Sequence, residues 1–353
     1  MEIILEEERI QEMRNFNIER RIARNNSDPF TLSDRHFVRC FRLTKHMVHY
    51  ILERISPHMS HSAHINAVNP ELRLFAALYF FGHGAYQKVV GHNFMLSMAQ
   101  NTVSNCIQEI SHLIVHYLSD EWIQFPTTEE EKLAIKVKFR ETTHFPGVIG
   151  AVDCTHVAII APREEEHNFI NRKGYHSKNI QIICDYNLKI LNINPQFAGA
   201  THDAYIWRNS EVHQELERCY LAGDRHSWLL GDSGYPQQPW LMTPVLNALA
   251  GSAEERYNTH HASARNCIER CNGVFKQRFR CVLGERTLRY SPEKVGNIVV
   301  ACAVLHNICT DARLELDVEN MERIIPNEVN VNVQQMNENG RDARRILIEN
   351  YFQ

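Results

Sequence analysis

Between Phe145 and Ile308 the chain alternates apolar runs of strand length with longer stretches of helical periodicity, and this alternation constrains the fold more than any other feature. The runs are Val148 to Val152, NIQIIC, KILNINPQF and Trp228 to Leu230, each bounded by turn-forming residues. NIQIIC and KILNINPQF flank Asp185-Tyr186-Asn187-Leu188, a hairpin turn, so these two and the first run form an antiparallel meander. Ala204 to Arg218 reads as a crossing helix before the fourth run. Residues 236 to 262, with Pro236, Pro239, Pro244 and Gly251, read as an insertion before a helix at ARNCIERCNGVFKQRFR. The expectation is an α/β domain over residues 127–310, a mixed sheet with helices packed on it.

Three carboxylates stand out in that pattern. Asp153 ends the first run inside GVIGAVDCTH, Asp232 ends the fourth inside WLLGDSGYP, and Glu269 lies on the helix, with 78 residues between the aspartates and 36 between Asp232 and Glu269. Two strand ends and one helix face can converge. Convergent carboxylates suit phosphodiester cleavage by two divalent ions roughly 3.5 to 4 Å apart, and their hard oxygens suit Mg²⁺ or Mn²⁺. Such a meander followed by a further strand and helix is the order of an RNase H-like sheet.

Each acid also has a structural reading. An Asp closing a strand is commonly a turn or cap residue, and Glu269, with Arg265 four residues before and Arg270 next, can be a helix ion-pair partner worth a few tenths of a kcal/mol. The helix itself favours a site. Arg265, Glu269, Asn272 and Lys276 share one stripe, while Cys267, Ile268, Cys271, Val274 and Phe275 cover the other side. Thr155 and His156 are flanking candidates for orienting a water or phosphate. Asn171, Arg172 and Lys173, beside Gly174, suit a loop that grips a nucleic-acid backbone. Asp203, in the segment Thr201-His202-Asp203, fits hydrogen bonding within the fold as well as it fits a further acid, and stays outside the triad.

Composition narrows the class. The 353 residues, 44% hydrophobic and 23% charged, describe an ordinary globular chain with no apolar run of membrane-spanning length. The start, MEIILEEERIQEMRNF, lacks the order of a secretory signal, so the cytoplasm or nucleus is expected; Arg20, Arg21 and Arg24 make a weak import patch. Ten cysteines without a CxxC pair read as buried thiols. Cys302 and His306 share a helix face, yet no second ligand pair accompanies them, and a core histidine is favoured. The net charge of −4 resides in residues 311–353, with nine acids and five bases. Between Ser263 and Lys294, eight Lys or Arg face three Glu, a local basic surface beside Glu269 of the kind phosphate binding needs.

Residues 1–30 read as an amphipathic, partly helical arm, and residues 31–126 as an all-α, helix-turn-helix-like subdomain. Its first helix is expected at Tyr86 to Asn93, its turn at Met95 to Ser97, and its second helix at Met98 to Ile114 with Ser97 as N-cap. Gln100, Asn101, Ser104 and Asn105 can meet base edges, but no Lys or Arg opens that helix, so the phosphate contribution is thin. Residues 311–353 read as an acidic, Asn-rich linker ending in a short helix, GRDARRILIENYF, that can dock on the protein or a partner.

The motifs GxxDxTH, GDSGYP and RNxIERxNGxxKxRF occur in that order, with NRKGYHS from Asn171 and SPEKVGNIVVACAVLHNI from Ser291. In these stretches the chain resembles the PIF/Harbinger transposases, most closely the Harbinger transposase-derived nucleases, over nearly its whole length. The resemblance implies an RNase H-like catalytic domain preceded by a helix-turn-helix. It also implies DNA cleavage with Mg²⁺ or Mn²⁺ by a DDE triad, which falls on Asp153, Asp232 and Glu269, all present. A metal-bound water or a 3′-hydroxyl would attack phosphorus. Arg172, Lys173, Arg265, Lys276 and Arg278 are the expected nucleic-acid contacts, and a Myb/SANT-like partner aiding DNA binding and nuclear import is implied. Two alternatives stay open: an active transposase of a mobile element, and a domesticated DNA-binding adaptor that does not cut. The oligomeric state is also open, a homo-oligomer included.

Overall fold

The structure, a computed structural model, describes residues 2–61, 67–315 and 338–353. Most of the expected acidic linker lies outside the described residues. Two compact units are present, Met1–Ser119 with Arg278–Val282, and Asp120–Gln277 with Leu283–Gln353.

The first unit is helical. It contains α1 (Glu2–Asn25), α2 (Asp34–Phe41), α3 (Lys45–Ile55), α4 (Pro70–His83), α5 (Gln87–Gly91) and most of α6 (Gln100–Trp122). α4 begins where Asn69 accepts the Glu71 N–H and Pro70 supplies a preset φ; it ends at Gly84, φ +60°, whose N–H returns to Phe80. Phe37, Phe41 and Phe75 meet at 4.6 to 5.7 Å between ring centroids and are fully buried. Each such ring contributes roughly 1.5 to 3 kcal/mol through burial.

The segment expected to form a helix-turn-helix differs from that expectation in its bounds. The first helix is only five residues long, and the second starts at Gln100 and runs to Trp122. Ser97 is not a cap; it lies in the turn at φ +40°. Met95, Leu96 and Met98 are buried, so they anchor the turn in the core instead of opening a helix. Met98 donates to the Gly91 carbonyl at 2.9 Å, and a Cβ on Gly91 would sit 2.3 Å from the Met98 carbonyl oxygen. Gln100, Asn101 and Asn105 are exposed.

The second unit holds α7 (Glu129–Thr143), whose capping box pairs Thr128 with Glu131, and a five-stranded sheet. Its strands are β1 (Val148–Ala158), β2 (Ser177–Cys184), β3 (Ile190–Ala198), β4 (Trp228–Leu230) and β5 (Leu241–Met242), in the order β3-β2-β1-β4-β5. β1, β2 and β3 form the expected antiparallel meander, while β4 and β5 join in parallel. Leu188, at φ +68°, closes the β2–β3 turn, where Asp185 accepts the Lys189 N–H at 2.8 Å.

β1 is longer than its opening apolar run, and Asp153 therefore sits mid-strand instead of at a strand end. All of β1 except Asp153 and His156 is buried, because helices cover both faces. On one face Val152, Ile183, Trp207, Leu216, Leu229 and Tyr235 form a core. Above it lie α8 (Asp203–Arg208) and α9 (Glu211–Leu221), two helices where one was expected, because Ser210 caps a new start by accepting the His213 N–H. On the other face lie α10 (Ala253–Arg278) and α11 (Pro292–Asp311). α10 begins within the expected insertion, which also supplies β5.

His306 is fully buried, its Nε2 2.8 Å from the Leu188 carbonyl. Asn307 accepts from the Ile190 N–H and donates to the carbonyls of Ile190 and Trp122, so a buried amide ties α11 to the start of β3. The last helix, α12 (Glu338–Tyr351), docks on the segment after β5: Arg344 donates to the carbonyls of Thr243 and Pro244, and Leu347, Ile348 and Phe352 are buried. No described helix is long and apolar enough to cross a membrane.

Candidate active site

Neighbouring residues of a strand face opposite sides of the sheet, so Asp153 turns away from the Val152 core and toward α10. There its Oδ2 accepts from Asn272 Nδ2 at 3.3 Å and its Oδ1 lies 3.3 Å from Arg265 Nη2. Burial pushes the Asp153 carboxyl up to about 7; Arg265 opposes the shift, and the charges of Asp232 and Asp203 add to it.

β4 stops at Leu230, whose parallel partner on β1 is Ala151. Asp232 follows two residues after that last rung, and its charge acts on the Asp153 carboxyl. The GDSG turn fixes Asp232, which accepts the Gly234 N–H at 2.9 Å; a Cβ on Gly234 would lie 3.1 Å from the same oxygen. Glu269 comes from α10, half exposed, with its Oε1 2.8 Å from Arg265 Nη1. Arg265 thus joins the first aspartate to the glutamate. Among the described residues, no three His, Cys, Asp or Glu are already grouped as a metal cage.

Three residues of the predicted stripe on α10, Arg265, Asn272 and Lys276, meet β1, while Glu269 stays half exposed. Lys276 Nζ donates to the His156 carbonyl at 3.1 Å, and burial pushes its amine down to about 8, with Asp153 opposing and Lys173 adding. Burial, with Lys276, Lys173 and Arg172 nearby, pushes His156 down to about 4; its Nδ1 contacts Ser177 Oγ at 3.0 Å. His156 is therefore neutral at pH 7. Thr155 is buried.

Asn171 is buried and pins the next loop, accepting the Lys173 N–H at 2.9 Å and donating to Ser177 Oγ at 2.9 Å. Arg172 and Lys173 are left facing solvent around Gly174, φ +79°. Arg172 Nη2 lies 2.6 Å from His202 Nδ1. Three of the expected nucleic-acid contacts are arranged otherwise, Lys276 among them, its amine bound to the His156 carbonyl. Arg265, whose side chain is 15% exposed, is engaged by carboxylates, and Arg278, at 4%, presents no free surface.

Asp203 opens α8 and accepts from Asn179 Nδ2 at 2.8 Å. Burial raises its carboxyl, the Asn179 bond opposes, and the Asp232 charge raises it further. It serves the fold and is also a close electrostatic neighbour of the candidate site. Its helix-start position conceals the second property in sequence. Asn272 carried no chemical signal beyond its place on the stripe.

Residues 152–307 match the family of DDE superfamily endonucleases. Over 288 residues the chain is 33% identical to the "Putative nuclease HARBI1" of Bos taurus, covering 81% of this chain and 80% of that protein. The chain belongs to the Harbinger-derived DDE nucleases. The Homo sapiens relative of the same name matches equally, at 33% over 288 residues, and the Xenopus laevis relative is 31% identical over 91% of each chain. The Arabidopsis thaliana "Protein ALP1-like" is 25% identical over 83% of this chain and 73% of its own length. No solved structure is a significant match. The mixed sheet and its helices are the RNase H-like domain of a DDE endonuclease. The match to the DDE superfamily endonucleases begins one residue before Asp153 and ends at Asn307, so it takes in all four acids discussed above.

Proposed function

We propose that this Harbinger-derived nuclease cuts DNA phosphodiester bonds through Asp153, Asp232 and Glu269 with Mg²⁺ or Mn²⁺. The observation that supports the reading is the parallel pairing of β4 with β1, which ends at Leu230 opposite Ala151, two residues before each aspartate, with Glu269 linked to Asp153 through Arg265. The residues fit a hard divalent cation: the donors are carboxylate oxygens, and a cation, the Arg265 guanidinium, already lies against two of them. Bound there, divalent ions would activate the attacking oxygen and stabilise the leaving one.

The protein's own side chains orient the site. Asn272 holds Asp153 through one oxygen, and the GDSG turn holds Asp232. Arg172 and Lys173 offer exposed charge for backbone phosphates. Thin charge on the face of α6 leaves room for a Myb/SANT-like partner to supply further DNA contacts and nuclear entry. The test is nicking of supercoiled DNA by the purified chain in Mg²⁺ or Mn²⁺, with and without such a partner. Equal nicking by Asp232→Asn would defeat the assignment, and absence of nicking by the parental protein would leave the adaptor reading.

A further inference from the structure

Arg265 lies one helical turn before Glu269 on α10, and an ordinary i,i+4 ion pair would account for its 2.8 Å contact with Glu269 Oε1. It does not account for the second contact. Nη2 reaches off the helix to Oδ1 of Asp153 on β1, at 3.3 Å, with the arginine side chain 15% and the aspartate side chain 17% exposed. One guanidinium therefore spans two carboxylates from different elements. Both carboxylates belong to the proposed metal site. A guanidinium keeps its charge at any pH a protein tolerates, and its planar fork suits two oxygens at once.

A divalent ion at that site needs the same carboxylate oxygens. Two cations directly sharing Asp153 Oδ1 and Glu269 Oε1 would repel each other at close range, so the oxygens serve one or the other. Asp153 has a further holder in Asn272, bound to its other oxygen, which keeps the carboxylate in place when the arginine leaves.

We propose that Arg265 is a positioning residue, an internal counter-cation that holds Asp153 and Glu269 together and is exchanged for a divalent ion when the site loads. The inference rests on the three-carboxylate site proposed above. Loading then costs the arginine its hydrogen bond to Glu269 and its ion pair with Asp153, which sets a threshold on metal affinity. The low-metal state has its buried aspartate neutralised by the protein itself.

The test measures Mn²⁺ binding to the full chain without DNA, by electron paramagnetic resonance of free Mn²⁺ and by the shift of melting temperature. Wild type, R265Q, R265K and D232N are compared. R265Q is expected to bind Mn²⁺ about tenfold or more tighter than wild type, as loss of charge-assisted bonds implies. R265K, a charge without the fork, is expected in between. R265Q is also expected to melt earlier in chelator and to gain more from Mn²⁺ than wild type does. A folded R265Q that binds Mn²⁺ no tighter than wild type overturns the proposal; if R265Q does not fold, the same result for R265K does so. Mn²⁺ binding that D232N leaves unchanged refutes instead the carboxylate site, and the two failures are distinct.

Discussion

Asn272 donates from α10 to Oδ2 of Asp153 at 3.3 Å, tying the helix that carries Glu269 to the strand that carries the first aspartate. Removing the amide leaves Asp153 held on one side only. Asn272→Ala is expected to lose about 1 kcal/mol of stability and to slow cleavage about tenfold or more through loss of alignment. Denaturant titration and single-turnover nicking check the two effects, with DNA affinity unchanged.

Glu269→Gln keeps the shape of the side chain and removes its charge. It is expected to retain DNA affinity or raise it slightly, and to reduce metal-dependent cleavage by about a thousandfold or more, as loss of a core catalytic group does. Parental nicking by the folded variant would falsify the role of Glu269 and return it to a helix ion pair.

Arg172 and Lys173 are exposed cations on a pinned loop whose charges act on His156, Asp203 and Lys276, which makes them better phosphate contacts than Arg265. Replacing Lys173 with Ala is expected to weaken DNA binding at every sequence and to lower the salt slope by about one. Binding titrations across salt concentrations in Ca²⁺ read this directly. An unchanged slope removes the loop from the DNA surface.

Burial holds His83 and His261 down at about 4, against 6.5 for a free side chain; Arg42 adds to the shift at His83, and the Met242 carbonyl opposes it at His261. Both are neutral in the fold and take up protons on unfolding. Their contribution is thus fully present above pH 6.5 and is lost as pH falls toward 4. Each is expected to add a slope approaching about 1.4 kcal/mol per pH unit inside that window. Denaturation between pH 4.5 and 7 with His261→Gln should show the slope reduced by one proton.

Gly91 admits the Met98 carbonyl where a Cβ would lie 2.3 Å away. Gly91→Ala is expected to destabilise the helical unit by about 1 to 3 kcal/mol as an overpacking change. Thermal unfolding followed by circular dichroism would show it.

The sequence by itself determined the class of fold and the identity of the candidate acids. Alternating strand and helix patterns specify a helix-covered sheet, and a turn at Asp185 to Leu188 specifies a meander, because both are local consequences of side-chain period and turn chemistry. The α10 stripe was legible for the same reason, since helical period alone decides which residues share a face. Its packing was not. Asp153 lies mid-strand because β1 is covered on both faces, and the length of a covered strand depends on partners distant in the chain. Only the tertiary structure brought the strand before Asp232 onto β1, through a parallel register between segments nearly 80 residues apart. It also turned Arg265 and Lys276 inward. A basic side chain on a helix stripe carries no mark of whether the surface it meets will be a phosphate or a buried carboxylate, and that depends on what the sheet places opposite it.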